Sequence, residues 1–279
     1  MRYAFYPGCA QESSAREYRL SAEVVCRELG VELEEIPRWN CCGASSGHFL
    51  NEELSLALAA RNLALAERMN PDQPVSIVTI CPACYLRLKT AQVRLRNSPK
   101  LRQRVEKLAG LPCEAKCEVR HLLDVLVNSV GLENIEGRIR SKLEGFKLVA
   151  YYGCYLVRPP EVAAFDDPEN PMMMDRLLRA LGADVPDWGG KVNCCGGSLT
   201  LSRPDLVSKL VSDLIEQALE VGAQGIVVAC AMCHYNLEAG QKRRQKLPIF
   251  YFTEFLSLAL GLSVKPSNKC FIAPPRLRR

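Results

Sequence analysis

The sequence predicts an α/β protein made of two pseudo-symmetric repeats, each a small parallel sheet with flanking helices. Three observations support this. Short apolar strands alternate with helical segments along the chain, a pattern that calls for parallel strands joined by right-handed crossovers. A five-cysteine pattern is written twice in the same order: Cys9, Cys41-Cys42-Gly43 and Cys81-Pro82-Ala83-Cys84, then Cys154, Cys194-Cys195-Gly196 and Cys230-Ala231-Met232-Cys233. Every motif cysteine is expected just beyond a strand, where open α/β sheets gather their ligands. The repeat divides the chain into a first domain over 1–131, a connector over 132–145, a second domain over 146–264 and a basic tail over 265–279.

The elements follow in order. Tyr3–Tyr6 reads as a strand ending at Pro7-Gly8-Cys9, and Ser13 or Ser14 is positioned to cap a helix that runs to Leu29 and closes at Gly30. Val31–Ile36 alternates as a second strand and leads through Trp39 to the first cysteine pair. An Ala/Leu-rich helix over Glu52–Met69 stops at Asn70-Pro71, and the continuous apolar run Val75–Ile80 enters Cys81. Pro82 suits the first turn of a helix, where its missing N–H costs nothing. The second repeat retraces this path with a strand over Lys147–Tyr152, a helix over Met172–Leu181 closed by Gly182, a helix over Pro204–Val221 and a strand over Gly225–Ala229. Each repeat ends in a strand and a Leu-rich helix, over Glu118–Val130 and Ile249–Leu260.

Composition sets bounds on function. The chain has 279 residues, 48% hydrophobic and 24% charged, and suits two soluble domains. No apolar run approaches the roughly 18 residues of a membrane span, and the N-terminus lacks a signal-peptide pattern. Disulfide scaffolds are usually short, whereas these thiols cluster by motif in a long chain. A reducing cytoplasm and metal ligation fit them better.

Five candidate thiolates per repeat exceed the four of a structural zinc site and the four of an ordinary cubane cluster. Either one cysteine is spare or the cluster is unusual; zinc at one site is the alternative. Neighbouring residues in a strand face opposite ways, so Cys41 and Cys42 can serve one centre only from a bend, and Gly43 and Gly196 supply the backbone freedom. Helix N-termini after Cys81 and Cys230 would offer N–H groups to an anionic centre. The formal charge of +5 counts each thiol as neutral. Ten thiolates around two cores of roughly +2 would bring it to about −1, so the basic balance does not imply a nucleic-acid partner.

On these motifs the chain resembles the CCG cysteine-rich proteins, and most of all the B subunit of heterodisulfide reductase and its bacterial relatives. The resemblance rests on Tyr6-Pro7-Gly8-Cys9, Trp39-Asn40-Cys41-Cys42-Gly43, Cys81-Pro82-Ala83-Cys84, His121-Leu122-Leu123-Asp124, Asp166-Asp167-Pro168-Glu169-Asn170-Pro171 and the complete second cysteine set. It implies two non-cubane [4Fe–4S] clusters. Cys9, Cys41, Cys42, Cys81 and Cys84 would bind one, and Cys154, Cys194, Cys195, Cys230 and Cys233 the other. It further implies that a disulfide is reduced, or thiols oxidised, in a cleft between the two. The chain lacks a ferredoxin cysteine run and a flavin fingerprint. Electrons would therefore come from a ferredoxin-like C-type subunit and a flavin-containing A-type subunit. Alternatives are a subunit of a complex for lactate or glycolate oxidation, an atypical succinate:quinone reductase, or an electron relay without its own chemistry.

Other residues carry weaker claims. His48 and His234 are candidate proton donors because imidazole titrates near neutrality, although a structural role is the favoured reading for both. Arg158 is a candidate contact for an anionic substrate group. His121, Cys26, Cys113, Cys117 and Cys270 read as structural, Met172-Met173-Met174 as core, and Arg276–Arg279 as a solvated end.

Overall fold

The computed structural model describes residues 1–44, 47–72, 76–241 and 247–263, with the side chains of 48 and 49 left aside. The first repeat contains β1 (Arg2–Phe5), α1 (Arg16–Glu28), β2 (Glu32–Glu35), α2 (Gly47–Leu50), α3 (Glu52–Glu67), β3 (Ile77–Thr79), α4 (Pro82–Asn97), α5 (Pro99–Ala109) and β4 (Val119–His121). Its four strands are parallel in the order β2-β1-β3-β4. After β4, α6 (Leu122–Asp124), a π-helical turn (Val125–Gly131) and α7 (Leu132–Glu136) lead to the second repeat. That repeat contains β5 (Leu148–Tyr151), α8 (Pro160–Ala163), α9 (Met173–Ala180), a 3₁₀ turn (Gly197–Leu199), α10 (Pro204–Glu220), β6 (Gly225–Val228), α11 (Ala231–Ala239), β7 (Ile249–Tyr251) and α12 (Phe252–Ala259). Its sheet is parallel in the order β5-β6-β7.

The strands that lead to Cys81, Cys154 and Cys230 are buried throughout, and so is β7, as parallel strands covered on both faces must be. The connections turn at glycines closing α1 and α9, with Gly30 and Gly182 at φ +73° and +93°. α3 starts where Asn51 accepts the Leu54 N–H at 2.9 Å, and its small Ala residues let it pack against both α4 and α5.

Several elements differ from expectation. α1 begins at Arg16 behind Ala15, because the Ser13 hydroxyl is turned back to donate to the Cys9 carbonyl at 3.1 Å. The cysteine pairs do not follow strands directly. Cys41 lies six residues beyond β2, and the matching edge of the second sheet is a single parallel bridge, Lys147 with Asp184. Six residues separate Gly30 from Pro37, but only Ala183–Val185 lie between Gly182 and Pro186. Proline has no ladder N–H to give, so the second strand stops almost before it starts. The stretch expected as connector is anchored: the Arg140 and Ser141 N–H groups donate to the Ala259 carbonyl, and Leu143 N–H to Leu181. Val75 and the tail from 264 onward, including Cys270, lie outside the described residues.

The repeats pack through α1 and α12. The Tyr18 and Tyr251 rings stack at 4.0 Å and 3°, and the buried Ser21 and Thr253 hydroxyls bond at 2.6 Å. The Tyr18 hydroxyl donates to the Ala229 carbonyl at 3.1 Å. On the other flank, Tyr85 donates to the Ala163 carbonyl at 2.5 Å. His121 fills the centre, fully buried, among the rings of Tyr85, Phe165 and Phe252.

Candidate metal centres

Each cysteine set is drawn together by the same device. In the first repeat, Tyr6 at the end of β1 donates to the Asn40 carbonyl at 2.8 Å and packs edge-on to Trp39. In the second, Tyr151 donates to the Asn193 carbonyl at 2.6 Å beside Trp188. Each Tyr lies three residues before the lone cysteine, and each Asn immediately before the cysteine pair. The tyrosine thus ties one cysteine-bearing loop to the other. Both residues could have been found by aligning the two repeats in the sequence.

The result brings the sulfurs into contact. Cys41 Sγ lies 3.7 Å from Cys9 Sγ, and Cys42 Sγ 3.4 Å from Cys84 Sγ. Cys195 and Cys233 repeat the latter pairing at 3.5 Å, and Cys154 interacts with Cys194. Gly43 and Gly196 adopt φ +76° and +75°, the bend expected after each pair. Gly8 and Gly153 have positive φ as well, and a Cβ there would stand 2.9 Å from Cys84 Sγ and 3.2 Å from Cys233 Sγ. Only glycine leaves these sulfurs room. Cys81 and Cys230 cap α4 and α11.

The thiols divide into acidic and reluctant members. Hydrogen bonds from Cys42 and Cys9, with help from the Gly43 N–H, pull Cys41 down to about 2. Cys84 and the Ala83 and Cys84 N–H groups lower Cys81 against its burial. In the second repeat, Cys154 and the Gly196 and Gly197 N–H groups bring Cys194 to about 6, and Cys233 lowers Cys195. Neighbouring thiolates and burial push up Cys9, Cys84, Cys154 and Cys233, and Cys42 to about 12. Crowded sulfurs of this kind can all ionise only around positive charge. An all-thiol donor set with inward N–H groups and glycine clearance therefore fits a cationic metal–sulfide core. Among the described residues, no three His, Cys, Asp or Glu side chains are arranged for a single metal ion.

One cysteine of each set lies near the ring stack at the repeat interface. Burial raises the Tyr18 and Tyr251 hydroxyls, and both feel the sulfurs of Cys230 and Cys81. His234 extends the stack, 4.5 Å from Tyr251. Burial lowers it to about 4, leaving it neutral at pH 7, and its Nδ1 lies 3.5 Å from Glu238. His48 lies on α2, and its side chain is outside the described residues. Cys26, Cys113 and Cys117 are buried away from both sets, each pushed up to about 12 chiefly by burial, which keeps them inert thiols.

Arg158 lies beside Cys154 on a cleft of about 570 Å³ between the repeats, lined also by Leu86, Arg87, Tyr155, Pro168 and Glu169. Its guanidinium pairs with Glu169 at 2.7 Å. Arg87 was not singled out by sequence, since nothing in its helical context marks it. The Asp166–Pro171 segment serves as a turn: Asp166 accepts from the Met172 and Met173 N–H groups and caps α9, and Asp167 accepts from Glu169 and Asn170. Its Asn170 reaches a group that sequence reasoning also missed. Lys191, 2% exposed, donates to Asn170 at 2.8 Å and pairs with Asp175 at 3.1 Å and Asp187 at 2.9 Å.

The profile of the CCG cysteine-rich domain matches residues 3–89 and 148–238. The chain is 31% identical over 271 residues to the 8-methylmenaquinol:fumarate reductase membrane anchor subunit of Wolinella succinogenes, covering 94% of this chain and 93% of that protein. It is 29% identical to a protein of Archaeoglobus profundus described as like the B subunit of heterodisulfide reductase, over 94% of this chain and 91% of that one. For the B subunit of the ferredoxin/F420H2-dependent CoB-CoM heterodisulfide reductase of Methanosarcina acetivorans the figures are 28%, 94% and 90%. A solved structure of a hypothetical protein from Helicobacter pylori shares the fold, with a TM-score of 0.70 at 16% identity over 94% of this chain and 49% of that one. With its two cysteine-rich domains and these relatives, the chain belongs to the CCG protein family typified by the B subunit of heterodisulfide reductase.

Proposed function

We propose that this chain is the iron–sulfur subunit of a redox complex in which a disulfide is reduced, or two thiols are oxidised, between two non-cubane [4Fe–4S] clusters. The observation that supports the reading is the doubled set of five thiols, each set with its own Tyr-to-Asn tie. Cys9, Cys41, Cys42, Cys81 and Cys84 are assigned to one cluster, and Cys154, Cys194, Cys195, Cys230 and Cys233 to the other. When bound there, the clusters supply one-electron redox chemistry and iron for sulfur. The chain's own residues supply the rest. Tyr6 and Tyr151 fix the cysteine loops, the Cys81 and Cys194 sulfurs accept backbone N–H groups, and the Tyr18–Tyr251 stack packs the repeat interface. Electrons are assigned to a ferredoxin-like and a flavin-containing partner subunit.

The identity to a menaquinol:fumarate reductase subunit favours a second reading, an electron-transferring subunit of a quinone-linked complex. Among the described residues no helix is long and apolar enough to cross a membrane. Anaerobically prepared protein separates these readings by iron and sulfide analysis, spectroscopy and a disulfide assay with a reduced viologen dye. About eight irons per chain and disulfide turnover are expected. About four irons, or zinc in one repeat, would sink the two-cluster assignment; full iron with no turnover of any disulfide favours the relay.

A further inference from the structure

Gln11 lies two residues past Cys9, in a turn closed by its own N–H donating to the Gly8 carbonyl at 3.3 Å. Ser13 pins the turn by donating to the Cys9 carbonyl at 3.1 Å, as does the Ala15 N–H to the Ala10 carbonyl at 2.9 Å. The Gln11 side chain is folded inward and is only 1% exposed. Neither its amide oxygen nor its amide nitrogen has a hydrogen-bond partner among the described residues. Such an amide is costly to bury, because its donors and its acceptor give up water without replacement.

Gly8 marks the space that the amide faces. A Cβ there would stand 2.9 Å from Cys84 Sγ and 3.3 Å from Gln11 Oε1. The absent side chain of Gly8 therefore leaves amide and sulfur on either side of one gap. No bond fixes which end of the amide is turned to that gap. An anionic sulfur selects the N–H, since the hydrogen bond is then charge-assisted. The second repeat has no such amide. Two residues past Cys154 stands Leu156, fully buried and without a side-chain donor. A Cβ at Gly153 would meet Cys233 Sγ and Tyr151 instead. The Tyr151 hydroxyl is bonded to the Asn193 carbonyl and lies beside Cys195.

We propose that Gln11 donates a hydrogen bond to sulfur of the first metal centre and raises the reduction potential of that centre. The inference rests on the two-cluster assignment. An added electron makes a metal–sulfide core more negative and its sulfurs better acceptors, so a donor already in place favours the reduced form. Gln11 itself exchanges neither proton nor electron; it sets how firmly the first centre holds an electron. Leu156 gives the second centre no matching bond. Two centres built on one cysteine motif are in this way made unequal by a single position of the repeat.

The test is a redox titration of the anaerobically prepared full chain, with viologen dyes as one-electron mediators and EPR spectroscopy as the readout. Gln11→Met keeps the volume and removes the donor. It should shift the redox equilibrium of one centre about tenfold toward the oxidised form, which is about 59 mV for one electron. Iron content and the midpoint of the other centre should not change. Leu156→Met, the matched control, should move neither midpoint. An unmoved midpoint in Gln11→Met, or an equal shift of both centres, overturns the proposal. If Gln11→Met sheds iron from the first set, the wild-type chain decides the matter. With its glutamine side-chain amides labelled with nitrogen-15, pulsed EPR of the reduced protein should show a nitrogen coupling, and its absence overturns the proposal. A wild-type chain that holds no iron at the first set defeats the two-cluster assignment and this proposal with it. Full iron with unmoved midpoints defeats this proposal alone.

Discussion

The two repeats hold their cysteine pairs with the same tyrosine but brace the loop before the pair in opposite ways. In the first, the brace is neutral: the buried Asn62 accepts from the Asn40 N–H at 2.9 Å and donates back to the Asn40 carbonyl at 2.9 Å. In the second, the loop is longer, the edge strand is missing, and Lys191 with Asp175, Asp187 and Asn170 forms an ionic brace in the interior. The Lys191 carbonyl also accepts the Tyr152 and Gly153 N–H groups just ahead of Cys154. The ring beside the last cysteine differs as well. Tyr85 follows Cys84 and meets His121, while His234 follows Cys233 and meets Tyr251, so tyrosine and histidine trade places. What repeats is the geometry around the sulfurs; the means of enforcing it has diverged.

The comparison breaks most visibly at the sulfurs. Cys42→Ala and Cys195→Ala should each cut iron from about eight to about four per chain, measured on anaerobic protein. Loss of all iron from either variant would mean that the sites do not load independently. The braces come next. Lys191→Met strands Asp175 in the interior and should cost about 3–5 kcal/mol, whereas Asn62→Leu, which orphans the Asn40 N–H but leaves its carbonyl the Tyr6 bond, should cost about 1–3 kcal/mol. Urea unfolding measures both, and equal losses would mean that the ionic brace is no different in kind.

A third test uses acid. His121 is buried and lowered to about 4, so the folded protein resists a proton that the unfolded chain takes up near pH 6.5. Stability is therefore full above that pH and declines as pH falls from about 6.5 to about 4, by up to about 3 kcal/mol. His121→Gln should flatten this limb in pH-dependent unfolding; an unchanged slope would assign it elsewhere. Smaller still is the glycine contrast. Gly8→Ala and Gly153→Ala should each cost about 1–3 kcal/mol, and Gly8→Ala more, because its Cβ would stand closer to sulfur. Thermal stability and iron retention report the order. Tyr18→Phe, which removes one cross-repeat hydrogen bond, should cost about 1 kcal/mol in the same unfolding measurement.

Much of this was legible in the sequence because the signals were local. The runs entering Cys81 and Cys230 are apolar strands, Gly43 and Gly196 mark the bends, and Pro82 marks the start of α4. The missing edge strand was legible too, in the short interval from Gly182 to Pro186, but only by comparing the repeats. Lys191 was not: its partners Asn170, Asp175 and Asp187 come from three segments, and one sequence gives no sign that a lysine is buried. Arg87 and the Tyr18 stack were hidden for the same reason, since each depends on which residues of the other repeat come to lie opposite.

The Tyr18 hydroxyl bond has a consequence for how the molecule is made. Tyr18 lies in the first helix, and its acceptor Ala229 comes 211 residues later, immediately before Cys230. Contacts of such long range form late in folding. During synthesis, then, the first five cysteines emerge and fold around an interface whose other wall has not yet been made. The wall that Ala229 contributes to the first repeat is therefore missing until the second repeat has been made.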